Sequence, residues 1–218
     1  MKNVEVLELI KDGENYNCEF KRKFSTHQKI AKEMIAFANS GGGYLLFGID
    51  DDGKVVGIES EKSEANLIKD TANNYCEPSI KFNIEFKEIK DKEIIIVEVP
   101  ASDDKPHRIQ DYKNDIDINT ALISVRVNDK SVLASKEMIK IMLSENNNSI
   151  LKNYSIGDDE KKVFEYLDEN ETITVSELKK LRNISERRAS RTLIKMVRAN
   201  LFFLHKKDDS KEYFSTKI

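Results

Sequence analysis

Three consecutive glycines, Gly41 to Gly43, sit in the stretch FANSGGGYLLFGIDDDG between an amphipathic segment and an apolar run. The order of those elements limits what the chain can build. From Gln28 to Ala38 the residues Ile30, Ala31, Met34, Ile35 and Ala38 fall on one stripe of a helix. Tyr44 to Ile49 reads as a buried strand, Asp51, Asp52 and Gly53 as a tight turn, and Lys54 to Ile58 as a second short strand. A phosphate-cradling loop follows a strand and opens a helix, so that backbone N–H groups and the positive helix end meet the anion. Here the glycines follow a helix, which makes Gly41 a helix C-cap. The sequence has no GxxxxGK[ST] motif and no GxGxxG before a helix. Glycines beyond the one a cap requires leave room for a ligand or a partner's backbone to come close.

The same periodicities extend downstream. A helix is expected from Lys62 to about Tyr75, with Ala65, Ile68, Ala72 and Tyr75 on one face. SIKFNIEFKEI alternates Ile80, Phe82, Ile84 and Phe86 with polar residues, while KEIIIVEVP and ALISVRV read as buried strands. A further helix spans Ser135 to Ser144 through Met138, Ile139, Ile141 and Met142. Helices interspersed with hairpin-joined strands predict an α+β domain with a mixed sheet.

Charge divides the chain. Residues 1–157 hold 22 Lys and Arg against 27 Asp and Glu, whereas 158–218 hold 14 against 12. The sign changes across SENNNSILKNYSIGDDE, where periodicity is also lost, so we expect a first domain over 1–145, a linker over 146–157 and a second domain over 158–218. Cys18 and Cys76 are too few for a disulfide framework and are read as small buried residues; His27, His107 and His205 are scattered. No apolar run approaches the ~18 residues of a membrane span. The N-terminal stretch is acidic where a secretory signal would be apolar. A cytoplasmic protein with no membrane partner is expected.

Two segments carry candidate chemistry. In ENYNCEFKRKF a strand would project Glu19, Lys21 and Lys23 to one side and Cys18, Phe20, Arg22 and Phe24 to the other. A carboxylate and a lysine two apart on one strand face is a layout used by metal-dependent nucleases, in which the acid holds a divalent cation and the lysine steadies the attacking hydroxide. Glu14 and either Asp50 or Asp51 would complete the carboxylates, giving Glu14, Glu19 and Asp50 as metal ligands. The blander reading is an exposed, salt-bridged strand face. Lys21, Arg22 and Lys23 form a basic run able to track a phosphate backbone, or simply a solvated edge.

The second segment is the C-terminal one. Asp158 or Asp159 caps a first helix that buries Val163, Phe164 and Leu167. Ile173 and Val175 form a short strand, Ser176 caps a second helix with Leu178 and Leu181 inside, and NISERRASRTLIKMV supplies a third. Two strands around Lys207, Asp208, Asp209 and Ser210 follow, which is a winged helix-turn-helix order. The third helix buries Ala189, Leu193, Met196 and Val197 and leaves Arg187, Arg188, Arg191, Lys195 and Arg198 outside, with Lys206 and Lys207 on the wing. Such a surface contacts phosphates or guanine edges of duplex DNA. The alternative is a winged helix that contacts protein.

With those residues in view, the first domain resembles the Schlafen AlbA_2 family from about Glu14 to Asp129. The likeness rests on CEFKRKF, IAKEMIAFANSGGGYLLFGIDDDGKVVGI, IIIVEVPASDDKPHRI and ISVRV. The resemblance implies a nucleic-acid-binding domain, in bacteria often followed by a winged helix in transcriptional regulators. Through the eukaryotic relatives it also implies an endoribonuclease, with Glu14 and Glu19 falling on two catalytic glutamates. Family members commonly carry a glycine after the last strand, where this chain has Asn128. The preferred reading is a DNA-binding regulator with no cofactor, whose first domain senses, binds nucleic acid or forms a homo-oligomer. The alternative is a nuclease using Mg²⁺ or Mn²⁺.

Overall fold

A computed structural model describes residues 1–146, 156–199, 201–207 and 211–216. The chain divides into two compact units, Met1–Ala134 and Ser135–Ile218.

The first unit runs α1 (Asn3–Asp12), β1 (Cys18–Lys21), α2 (His27–Asn39), β2 (Gly43–Phe47), α3 (Glu61–Asn74), β3 (Cys76–Glu77), β4 (Asn83–Ile89), β5 (Lys92–Val99), β6 (Arg108–Ile109), β7 (Ser124–Val127) and β8 (Lys130–Leu133). Its main sheet has the order β1-β2-β5-β4, with β1 parallel to β2 and the other pairs antiparallel. This is the mixed sheet that the interspersed helices and strands predict.

Strand β5 is apolar on both sides because both sides are covered. Ile95, Val97 and Val99 join Leu45, Phe47, Ile30, Met34, Ile35 and Ile68 in one core, under α2 and α3. Ile94 and Ile96 join Leu46, Phe20, Cys18 and Val6 in a second core, under α1. Fully burying each such aliphatic side chain stabilises the unit by about 1.5–3 kcal/mol. Both cysteines are buried and free, and burial pushes each thiol up to about 12.

Behind α2 lies the β7–β8 hairpin, and Asn39 ties the two together. Its side-chain amide donates to the carbonyls of His107 and Ser124, at 2.8 and 3.0 Å, and its oxygen accepts the His107 N–H at 2.7 Å. Strand β8 has no counterpart in the sequence reading. Its turn is closed by Asn128, which adopts φ +53°. Asparagine visits this left-handed region more readily than other non-glycine residues, so the turn closes without the glycine that the resemblance implies there.

The glycine run differs from expectation in detail. Helix α2 ends at Ser40, and the left-handed residue is Gly42 at φ +79°, not Gly41. A Cβ on Gly42 would lie 2.8 Å from Ala101 N and 2.9 Å from Val99 O; one on Gly43 would lie 2.7 Å from Asn17 O and strike the Phe37 ring. The close approach that these glycines permit is to the chain's own backbone. Gly42→Ala is therefore expected to destabilise the first unit by about 2–4 kcal/mol, through left-handed strain plus overpacking, read as a lowered urea midpoint.

Two expected strands are shorter than predicted. Lys54 to Ile58 forms only an isolated bridge, Ile49 to Val55, because the chain bends at Gly48, Gly53 and Gly57, all at positive φ. Strand β1 stops at Lys21, so Arg22 and Lys23 lie beyond it and do not continue its alternation.

The second unit runs α4 (Lys136–Asn146), α5 (Asp158–Glu169), α6 (Val175–Arg182), α7 (Glu186–Arg198), β9 (Phe203–Lys206) and β10 (Glu212–Ser215), the last two antiparallel. Helix α4, which the sequence reading counts with the first domain, groups here. Val163, Ile173, Leu178, Ala189, Leu193, Met196, Phe202 and Phe214 form its core. Of the expected linker over 146–157, residues 147–155 lie outside the described residues, as do Asp208, Asp209 and Ser210 of the expected strand turn.

Several local expectations are corrected. Gly157 precedes α5, so neither Asp158 nor Asp159 is its cap. Thr174, not Ser176, caps α6, its hydroxyl accepting the N–H of Glu177 at 3.2 Å. Val175 is already helical, while Ile173 makes a single bridge to Phe214. Leu181 is exposed. Among the described residues, no helix is long and apolar enough to cross a membrane.

Candidate functional site

In β1 the alternation sends Cys18 and Phe20 into the core under α1, so Glu19 and Lys21 project to the side of α2. The Lys21 ammonium donates to Glu19 Oε1, and to the Phe20 carbonyl at 2.8 Å. Glu19 Oε2 accepts from Arg126 Nη1 at 3.0 Å. Glu14 comes back over the strand, its Oε1 accepting the Phe20 N–H at 2.9 Å. Burial pushes the Glu14 carboxyl above its usual range, and the charges of Glu19 and Asp51 add to that, against the Phe20 N–H and Lys21.

Arg126 is the centre of this region, and the sequence reading passes it over. Its side chain is fully buried at 0% exposure, yet it carries a permanent charge. Nη1 also reaches Ser131 Oγ at 3.0 Å and Glu33 Oε2 at 3.4 Å; Nη2 donates to the Asn15 carbonyl at 2.7 Å and Nε to the Tyr16 carbonyl at 3.3 Å. The Phe37 ring lies 4.7 Å from the guanidinium carbon. The Ser131 hydroxyl donates a hydrogen bond to Glu33 Oε2. A charged residue within the otherwise uncharged SVRV was the available signal. Glu33 and Phe37, four apart on one face of α2, were the other half of it.

The structure thus brings Glu14, Glu19 and Lys21 together and leaves Asp51 within reach of Glu14's field. Asp50 is placed differently: its Oδ2 accepts from Arg22 at 3.0 Å and its Oδ1 from the Asp51 N–H at 3.3 Å. Among the described residues, no three His, Cys, Asp or Glu side chains are grouped to hold a metal ion. Both oxygens of Glu19 already serve cations of the chain itself. The donor set of Glu14, Glu19 and Asp50 does not fit a divalent ion, and no metal-dependent step follows from it.

In the second unit helix α7 buries Ala189, Leu193 and Met196 and exposes Arg187, Arg188, Arg191 and Lys195, with Arg198 half-buried. Arg187, Arg191 and Lys195 succeed one another at four-residue intervals and so form one stripe. Arg188 is engaged elsewhere. Its Nε donates to Asp159 Oδ2 at 2.7 Å, while Arg182 Nε donates to Oδ1 at 2.8 Å. Asp159 thereby pins the start of α7 to the end of α6. Lys206 is half-buried, and exposed Lys207 has its Nζ 5.3 Å from the centre of the Tyr213 ring.

Burial pushes the Asp159 carboxyl up, but the hydrogen bonds and charges of Arg182 and Arg188 outweigh it and hold the carboxyl below its usual value. Its stabilisation is present above the unfolded value of about 3.9 and is lost as pH falls through the lower folded value. Acid titration of the second unit by hydrogen exchange is expected to show this loss, and Asp159→Asn to flatten it.

The family model described as Schlafen, AlbA_2 matches residues 14–135. An uncharacterized ATP-binding protein of Ureaplasma parvum serovar 3 is 34% identical over 91 residues, which are 39% of this chain and 26% of that protein; the chain spans about a quarter of this relative's length. Two solved structures are partly alike. One is the N-terminal domain of a protein from Nitrosomonas europaea described as related to the ATP-dependent DNA helicase RecG, with 22% identity and TM-score 0.43 over 53% of this chain and 84% of that one. The other is the DIP2311 protein of Corynebacterium diphtheriae, with 16% identity and TM-score 0.43 over 60% and 29%. The family match covers more than half of the chain and includes Glu14, Glu19, Lys21, Glu33 and Arg126, and we conclude that the chain belongs to the Schlafen, AlbA_2 family.

Proposed function

We propose that this protein binds nucleic acid, with duplex DNA as its partner, and acts as a transcriptional regulator. The observation that carries the proposal is the stripe of Arg187, Arg191 and Lys195 along the exposed face of α7, opposite its buried Ala189, Leu193 and Met196. The order of elements supports a winged helix over 158–218. Helix α6 ends at Asn183, in the left-handed region at φ +49°, and α7 begins three residues later behind its cap Ser185. That turn length is the one a helix-turn-helix uses to cross its helices and lay the second in a major groove. The β9–β10 pair would then be the wing, placing Lys206 and Lys207 beside a neighbouring phosphate backbone.

The first unit contributes less to this reading than its basic run suggests. Lys21 is turned to Glu19 and Arg22 to Asp50, which leaves exposed Lys23 as its remaining contribution. A cytoplasmic location accords with a role on DNA. Anisotropy titration against genomic duplex fragments tests the proposal. Affinity is expected to fall linearly with salt on logarithmic axes, by about 0.9 per phosphate contact. Absence of binding at every salt concentration would overturn it in favour of protein contacts.

A further inference from the structure

We infer that Arg126 is a tethered cation, whose guanidinium fills an all-oxygen cage that would otherwise have the composition to take a divalent metal ion. Five oxygens surround it: the carbonyls of Asn15 and Tyr16, a carboxylate oxygen each from Glu19 and Glu33, and the hydroxyl of Ser131. Hard divalent cations are bound by this mixture of carbonyl, carboxylate and hydroxyl oxygens, with water completing a shell of about six to eight. The cage comes from four separate parts of the first unit: the loop before β1, β1 itself, α2 and β8.

The charges account for the arrangement. Glu19 and Glu33 carry two negative charges, and Arg126 and Lys21 return two positive ones, so the pair is already neutralised without an ion. A guanidinium suits this post better than an ammonium. It stays protonated throughout the accessible pH range, and its planar fork meets several oxygens at once. Its position is held from the backbone as well, where the Arg126 N–H donates to Ser40 Oγ at 2.9 Å. A metal could be chelated away; this cation cannot. The five oxygens are therefore held together without a divalent ion, independently of DNA binding through the second unit.

Paramagnetic resonance of free Mn²⁺, titrated with the whole chain, tests this directly. The native chain is expected to show no saturable uptake at up to about 1 mM Mn²⁺. Its melting temperature is expected to be unchanged by EDTA. Arg126→Ala is expected to melt lower, to bind one Mn²⁺ per chain and to regain melting temperature with Mn²⁺ or Ca²⁺. Adding Glu33→Gln to it should abolish that uptake. Arg126→Lys, which keeps the charge, is expected to fold and to refuse Mn²⁺ as the native chain does. Saturable Mn²⁺ binding by the native or Arg126→Lys chain that Glu19→Gln removes would overturn the inference. So would an Arg126→Ala chain that gains no ion, or one that stays unfolded with Mn²⁺ supplied.

Discussion

Arg126→Met is expected to lower the stability of the first unit by about 3–5 kcal/mol, the cost of breaking a buried ion pair by removing one partner. Methionine fills much of the volume but offers no donor. Glu19 and Glu33, 12% and 14% exposed, would then face each other's charge with only Lys21 nearby. The Tyr16 carbonyl would also lose the Arg126 donor, and the Asn15 carbonyl would keep only the Cys18 N–H at 3.3 Å. Hydrogen exchange of α2 and β7 peptides in increasing urea would report the loss, since those are the elements that the guanidinium joins. A cycle with Glu33→Gln sharpens the result. If Arg126 acts through these carboxylates, the double substitution costs less than the sum of the single ones, because removing the acid relieves the charge left unpaired. A strictly additive outcome would mean that Arg126 matters only as packing.

Replacing Arg187, Arg191 and Lys195 together by alanine is expected to weaken duplex binding about a hundredfold near physiological salt and to reduce the salt slope by about 2.7. The arithmetic is that of three lost phosphate contacts. All three side chains are exposed, so the fold of the second unit should be unchanged. Arg188 is left out of the set for a physical reason. It holds Asp159 together with Arg182, and its loss would mix an effect on α6–α7 geometry with one on DNA. Unchanged affinity and slope in the triple variant would remove α7 as the contact surface.

The parts of the fold that were legible are those where one short-range rule acts alone. The stripe Ile30, Ala31, Met34, Ile35 predicts α2, the unbroken Ile94 to Val97 predicts a strand covered on both faces, and Ala189, Leu193, Met196 predicts the buried side of α7. Caps and short strands were less legible because neighbouring residues compete for them. Thr174 and Ser176 are equally suited by type to cap α6, and only the path of the chain after the Ile173 bridge selects Thr174. Glycine position was similar: any of Gly41 to Gly43 could take positive φ, and contact with Val99 and Ala101 selects Gly42.

For the candidate site, the sequence by itself determined the chemical ingredients on each strand and helix. Glu19 and Lys21 share a face of β1 because side chains alternate, and Arg187, Arg191 and Lys195 share a face of α7 because they recur every four residues. Only the tertiary structure decided what those groups meet. Arg126 lies 107 positions from Glu19 and 93 from Glu33, and no local periodicity relates residues so far apart. The packing of the β7–β8 hairpin against α2 delivers a permanent charge between the two glutamates. Glu19, the one acid of the expected metal set that Arg126 reaches, is thereby neutralised from within together with Glu33, because two largely buried carboxylates require cations and this chain supplies its own.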